Sequence, residues 1–341
     1  MPYFPERKPE QSGQDQEPEK KQKKPFTAEE KKMFFNLFLV AVSCVLILFG
    51  AVSLVRYGID MVSSRNTSRD LREVSMQAEA LESLTPEPTV PPAPPSPLPT
   101  AEPAPTVTAT PAILPADTPV STPDPGILQP VPYPDNPDLK VSSRFRQLRR
   151  KSGYIIGWIT LDGVDEPVAL KDNSFFLNHD VMGKKNVNGA IFLDEEISLL
   201  TRPYTVYLYG HNMKSGYMFG RLKKYKESAY CLSHRIITFD TLYEDGKYAV
   251  FAVAEIDTVP GKGAWFDLWS LNTARVSDRE AAIRTLENRS VYHSVLDVQA
   301  NDQILVLVTC LDGDTERLIV AARRLREGET ENTLAIRRNS R

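Results

Sequence analysis

At 341 residues the chain could hold two domains, yet 19 of its 27 prolines crowd between Pro86 and Pro137, which favours one folded domain with appendages. A formal net charge of -3 and the lack of a basic, aromatic-studded patch exclude nucleic acid as the natural partner. The three cysteines, Cys44, Cys231 and Cys310, lie far apart with no CxxC pair, which excludes a disulfide framework and a thiolate zinc site.

Residues 1–32 are polar and rich in Lys, Glu and Gln, a composition that predicts a disordered tail. Residues 33–55 then run without a charge, long enough at about 1.5 Å per residue to cross a hydrocarbon core of about 30 Å. Arg56-Tyr57-Gly58 follows directly, with no small-residue cleavage pattern, so an uncleaved membrane anchor is expected. Lys20, Lys21, Lys23, Lys24, Lys31 and Lys32 precede the span, against Arg56, Arg65, Arg69 and Arg72 after it. That bias predicts a cytoplasmic N-terminus with the bulk of the chain outside the cell membrane. Cys44, in mid-span, serves as a small apolar residue.

Residues 56–84 carry Leu71, Val74, Ala78, Leu81 and Leu84 at helical spacing, which predicts a membrane-proximal helical spacer without a partner. Residues 85–138 are rich in Pro, Thr and Ala and cannot form a core. At about 3.1 Å per residue they would reach on the order of 150 Å as an extended, disordered stalk. From residue 139 to 327 the composition turns globular, and residues 328–341 return to a polar tail. An opening helix is predicted over 142–151 with Phe145 and Leu148 inward. Strands are predicted over 155–161, 190–193, 204–209, 235–239, 248–256, 303–309 and 317–325. Helices are predicted over 217–226 and over 278–288, the latter from a capping box of Ser277 and Glu280. Many short strands and few helices point to a β-barrel or sandwich.

Chemistry concentrates at three strand ends. The run Val306-Leu307-Val308-Thr309-Cys310 ends in a thiol, and Arg317 opens the next apolar run. About a hundred residues upstream, an apolar strand ends in Gly210-His211-Asn212. A thiol, an imidazole and a permanent cation are the parts needed for cysteine-based acyl transfer. A lone cysteine is by default a buried structural residue, but Cys310 ends a strand before the polar turn Asp312-Gly313-Asp314. His211 could be an ordinary loop histidine, and Arg317 an ion-pair partner. His179 reads as part of a loop signature, and His234 and His293 as surface or packing residues. The order His before Cys excludes a papain-like protease, and the lack of a Ser-x-Gly-Cys signature excludes an L,D-transpeptidase.

The folded part resembles the sortase family, and class B sortases in particular, over roughly residues 140–326. Gly157-Trp158-Ile159 and Pro167-Val168 are similar to that family's first strands. Asp172-Asn173 through Phe176-Leu177-Asn178-His179 is similar to its next signature, and Gly189-Ala190-Ile191-Phe192-Leu193-Asp194 to its third strand. Tyr209-Gly210-His211-Asn212-Met213, with Met218-Phe219-Gly220-Arg221-Leu222, resembles the catalytic-histidine region, and Val308-Thr309-Cys310 with Arg317 the catalytic cysteine and arginine. The helix near residues 278–288 is what separates class B from class A. Val308 departs from the Ser or Thr more often found before Thr-Cys.

The resemblance implies a mainly β fold. It would be a sortase-type closed β-barrel of about eight strands, with an N-terminal helix and a helix before the strand carrying the catalytic cysteine. One transmembrane helix and a Pro-rich stalk would precede it. It implies Cys310 as nucleophile, His211 as acid and base, and Arg317 as oxyanion donor. Asn173, Leu177, Tyr209, Thr309 and Asp312 would touch the substrate. Trp265, Phe266 and Trp269 could wall the groove, although ordinary packing explains them as well. The implied activity is cysteine transpeptidation, cleaving a C-terminal sorting motif of secreted proteins. The acceptor would be a peptidoglycan precursor, or a pilin lysine if the enzyme polymerises pili. No cofactor or metal is called for. A catalytically inactive stalked surface binding module is the rival of a different class.

Overall fold

The computed structural model describes residues 27–84, 124–311 and 315–334 and divides into two units that meet between Arg56 and Tyr57. The residues assigned to the disordered N-terminal tail up to Phe26, and most of the stalk, lie outside the described residues. Helix α1 (Ala28–Leu84) begins at a capping box, in which the Glu30 amide donates to the Thr27 hydroxyl and the Thr27 amide to the Glu30 carboxylate. It ends just before Thr85-Pro86, where the residue preceding proline disfavours helix. The first unit holds the apolar part of α1, whose large side chains are exposed from Met33 to Val55. This helix is long and apolar enough to cross a membrane, by length and composition.

The second unit is built on a closed barrel of eight strands. These are β1 (Ile155–Leu161), β2 (Val164–Ala169), β3 (Ile191–Leu193), β4 (Thr205–Tyr209), β5 (Ile236–Thr241), β6 (Lys247–Asp257), β7 (Ile304–Cys310) and β8 (Glu316–Arg324). The order around the barrel is β1-β2-β3-β4-β7-β8-β6-β5, closed by β5 on β1. A two-residue Asp162-Gly163 turn joins β1 to β2, and Gly163 supplies the left-handed backbone (φ 69°) that such a hairpin needs. Pro167 is tolerated in β2 because β3 joins that strand only from Val168 onward. Two pairings are parallel, β2 with β3 and β4 with β7. Every residue of β7 from Ile304 to Thr309 is buried, so both faces of that strand are covered, as its unbroken apolar run requires.

Helices close the barrel. In α2 (Ser143–Lys151), the Ser142 hydroxyl caps the Phe145 amide, and Phe145 and Leu148 point inward as expected. The expected helix over 217–226 is a 3-10 helix, Phe219–Lys226, followed by an unforeseen short helix α3 (Ser228–Ser233). Helix α4 (Val276–Arg289) corrects the capping-box reading. Its N-cap is Arg275 without a side-chain cap; Ser277 bonds to the Asp278 carboxylate, and Glu280 pairs with Arg284.

Three expectations about appendages also change. Residues 57–84 are not a partnerless spacer: Leu71 and Ala78 are buried, Arg72 pairs with Asp165 at 2.5 Å, and Arg144 reaches Glu79 at 3.1 Å. The last stretch assigned to the stalk, 124–138, packs on the domain through bridges Ile127 to Arg275 and Val131 to Arg202. Tyr133 is buried there, with its hydroxyl on the Leu199 carbonyl. The start of the expected tail packs too, through buried Leu334 and the Glu329–Arg323 ion pair at 2.7 Å.

One side chain of α4 ties these layers together. Arg279 is fully buried and donates to the carbonyls of Tyr204 (2.8 Å), Ala300 (2.7 Å), Asp302 (2.9 Å) and Leu271, and to the Thr205 hydroxyl (2.8 Å). It therefore grips the starting ends of both parallel strands β4 and β7. Burial pulls its guanidinium down to about 10, still charged at neutral pH. Arg279→Met removes all five donations and leaves buried acceptors unpaired, so it should cost about 3 kcal/mol or more in urea unfolding; a loss under about 0.5 kcal/mol would contradict the clamp.

A second buried group makes stability pH-dependent. The Glu166 carboxylate accepts from the Ser68 hydroxyl of α1, whose oxygen lies 3.0 Å from the Tyr217 hydroxyl. Burial pushes Glu166 up to about 7, against the opposing pull of the Ser68 and Tyr217 hydroxyls and of Arg72. A carboxyl raised on folding contributes stability that is fully present below about pH 4.5 and is lost as pH rises through about 7. The window corresponds to about 3 kcal/mol. Thermal melts of the wild type should fall across that window, and Glu166→Gln, neutral throughout, should lack this component; equal pH slopes would contradict it.

Candidate active site

The parallel ladder of β4 and β7 runs in step from Thr205 opposite Ile304 to Tyr209 opposite Val308, and the Gly210 amide donates to the Val308 carbonyl at 3.2 Å. The ladder stops there: His211 lies two residues beyond Tyr209, and Cys310, the last residue of β7, two beyond Val308. On the other side of β7, the antiparallel ladder of β8 sets Arg317 opposite Cys310. The strand ends that carry Cys310, Arg317 and, about a hundred residues upstream, the approach to His211 are thus neighbours at one rim of the barrel.

His211 is half-buried, and its Nε2 lies 2.6 Å from the Leu177 carbonyl oxygen. A carbonyl only accepts, so Nε2 holds the proton and Nδ1 is the nitrogen left for proton exchange. The His211 carbonyl accepts from the Met213 amide (3.1 Å) and the Phe219 amide (3.0 Å), which folds the following loop back on itself. Within that loop Met218 is buried at φ 48°, a left-handed backbone that a side chain rarely adopts. On the far side, Gly189 (φ 62°) lies so close that a Cβ there would be 3.0 Å from His211 Cδ2 and 2.3 Å from the Phe176 carbonyl oxygen.

Arg317 is half-buried, with Nη1 donating to the Glu316 carbonyl at 2.9 Å, and its charge acts on the Tyr209 phenol. Tyr209 stacks on Phe192 at 5.4 Å and donates to Asp194 Oδ2 at 2.9 Å. Burial and the Asp194 carboxylate push the Tyr209 phenol up, so it stays neutral. Leu177 presents an apolar side chain, 47% exposed, next to the histidine its carbonyl holds. Asn173 is different: its Oδ1 accepts from the Glu195 amide at 3.0 Å and ties two loops together. Thr309 is buried, and its hydroxyl has no partner among the described residues. Asp312 lies outside the described residues.

Phe266 is buried, while Trp265 and Trp269 are about two-fifths exposed, Trp269 lying 5.0 Å from the Tyr207 ring. His179 stacks on Phe175 and His234 on Tyr230, each with a ring nitrogen on a backbone carbonyl. Among the described residues, no group of three His, Cys, Asp or Glu side chains could hold a metal ion. Sequence reasoning passed over Gly189 and Asp194 as site residues. Both sit inside a quoted motif, but only the fold shows one pressed on His211 and the other on Tyr209.

A family model described as the Sortase domain matches residues 163–325. The chain is similar to sortase B of Listeria monocytogenes, 29% identical over 183 residues, covering 52% of this chain and 70% of the relative. It is similar to sortase B of Staphylococcus aureus, 28% identical over 189 residues, covering 54% and 75%. Among solved structures it is similar to a Bacillus anthracis protein described as similar to sortase B, at 32% identity and TM-score 0.48, covering 55% of this chain and 85% of that one.

Gly189→Ala tests the packing around the histidine. It should cost about 1 kcal/mol or more for the left-handed backbone alone and displace the His211 ring. Thermal melting together with the His211 ring proton shifts in NMR checks it; unchanged shifts would refute the contact.

Proposed function

The chain belongs to the sortase family, class B, a family of cysteine transpeptidases, and from that premise we propose that it cleaves a C-terminal sorting motif of secreted proteins and transfers the new acyl end to a cell-wall amine. The Cys310 thiolate attacks the scissile carbonyl and forms a tetrahedral intermediate, which collapses to a thioester as His211 gives its proton to the departing amine. Arg317 hydrogen-bonds the oxyanion while it exists. His211 then takes the proton of the incoming amine, which attacks the thioester and frees the thiolate. The acceptor is a peptidoglycan precursor, with a pilin lysine as the alternative. The apolar part of α1 anchors the chain in the cell membrane, N-terminus inside and catalytic domain outside, so that donor and acceptor meet it there.

The observation that carries this reading is the double register at β7. One ladder carries β4 beside β7 to within two residues of His211 and Cys310, and the other sets Arg317 opposite Cys310. Leu177, exposed beside His211, and neutral Tyr209, between Asp194 and Arg317, support a substrate-contact role for those two; Thr309 and Asp312 remain in the proposal as neighbours of Cys310. Asn173 remains in the proposal as a substrate contact, on a loop braced by its own bond to the Glu195 amide.

The full-length chain in detergent micelles, offered a library of sorting peptides and a labelled amine, provides the test. Cys310→Ala should abolish cleavage and transfer. His211→Ala should lower the rate by about 10²–10⁴, and Arg317→Ala by about 10²–10³. Unchanged cleavage and transfer in Cys310→Ala would leave a binding module as the better reading.

A further inference from the structure

The part of α1 that lies in the barrel unit touches both segments that hold His211. Asp60, Ser64 and Ser68 recur every four residues and so share one helix face. Asp60 accepts from the Val187 amide at 3.1 Å through its carboxylate and from Asn186 Nδ2 at 3.2 Å through its carbonyl. Ser64 accepts from Asn188 Nδ2 at 3.1 Å, and Asn188 is fully buried. These contacts fix residues 186–188, directly before Gly189, where an added Cβ would come within 3.0 Å of the His211 ring and within 2.3 and 3.2 Å of the Phe176 and Leu177 carbonyl oxygens.

Four residues further on, Ser68 bonds Glu166 and lies 3.0 Å from the Tyr217 hydroxyl. Tyr217 belongs to the loop that returns to the His211 carbonyl through the Phe219 amide. A cavity of about 20 Å³ lies where the two contact lines meet, lined by Ser64, Ser68, Glu166, Gly189, Tyr217 and Met218. An arm that served only as a tether could dock by apolar area alone. Here short hydroxyl side chains make directional bonds to the two segments flanking one imidazole.

We propose that residues 57–84 are a positioning element of the active site, in which Asp60, Ser64 and Ser68 set the place of His211 by bracing the 186–189 segment and the Tyr217 loop. The proposal rests on the reading of His211 and Cys310 as the reacting pair. Ser68 acts through Glu166, which is faced by Arg72 from α1, Asp165 from its own strand, Tyr217 from the histidine loop, itself faced by Arg65, and Asp180 across the cavity. A displacement of about 1 Å in a reacting group can cost on the order of 10²-fold in rate. Removing two of the three braces should therefore show in turnover.

The experiment compares full-length wild type with Ser64→Ala/Ser68→Ala in detergent micelles, using a sorting peptide that the wild type cleaves. The expected result is a fall in kcat of about tenfold or more with KM little changed, and a shifted pH profile of kcat, because the proton-exchanging imidazole has moved. Cys231, fully buried, reports unfolding in the same samples through its reaction with iodoacetamide, and it should stay protected. Ser68→Thr, which keeps the hydroxyl, should restore the pH profile when combined with wild-type Ser64. An unchanged kcat and pH profile would overturn the proposal, as would a kcat loss matched by Cys231 exposure. His211→Ala separates the two readings: if it loses no activity, the catalytic reading itself fails. If it loses activity while the double serine variant does not, only the positioning role falls.

Discussion

The in-step parallel pairing of β4 and β7 is the constraint on which the remaining geometry hangs. A parallel ladder has no tight turn to set its register, so the register must come from side-chain packing and from whatever grips the strand ends. Here the grip is Arg279, which holds the chain at Tyr204, Thr205 and Asp302, the starting ends of the two strands. From that fixed start each strand runs to the opposite rim, where one continues into Gly210-His211 and the other ends at Cys310. A slip of one residue would turn every side chain of one strand to the other face. Apolar packing alone would resist it, and five directional bonds from a buried cation resist it further.

The reactive rim follows a different rule from the core. Around β7 the contacts are apolar and non-directional, which supplies stability. Around His211 they are polar and directional: the Leu177 carbonyl on Nε2 and two amides on its own carbonyl. Acyl transfer gains most from geometry held in advance of reaction, and hydrogen bonds hold angle as well as distance. Met218 at φ 48° shows the cost of that arrangement, a strained residue in the loop whose Phe219 amide returns to the His211 carbonyl.

Much of this could be read in the amino-acid string because it depends on local pattern. Strand β7 announced itself by its unbroken apolar run, and α2 by Ser142 ahead of Phe145 and Leu148. The His, Cys and Arg positions stood out because each ends or opens an apolar run. What escaped depends on pairings distant in sequence. Nothing local marks Arg279, since Tyr204 and Asp302 converge on it only in the fold. The Ser277–Glu280 pattern fits a capping box, but α4 starts earlier, at Val276, so those residues take other partners. Nothing local marks Ser64 and Ser68 either, since Asn188 and Glu166 meet them only in the fold. Asn173 matches a substrate-contact position, and nothing local tells that its Oδ1 also accepts from the Glu195 amide.

The separation of about a hundred residues between the two parallel strands also bears on how the chain comes to fold. Contacts between distant segments form slowly, because the intervening chain must be ordered before they are rewarded. The hairpins β1–β2 and β7–β8 join neighbouring residues, whereas β4 and β7 pair across about a hundred residues, a contact with a high loop-closure cost. The strand ends that lead to His211 and to Cys310 come together only through that long-range pairing, so a chain in which it has not formed keeps the two residues apart.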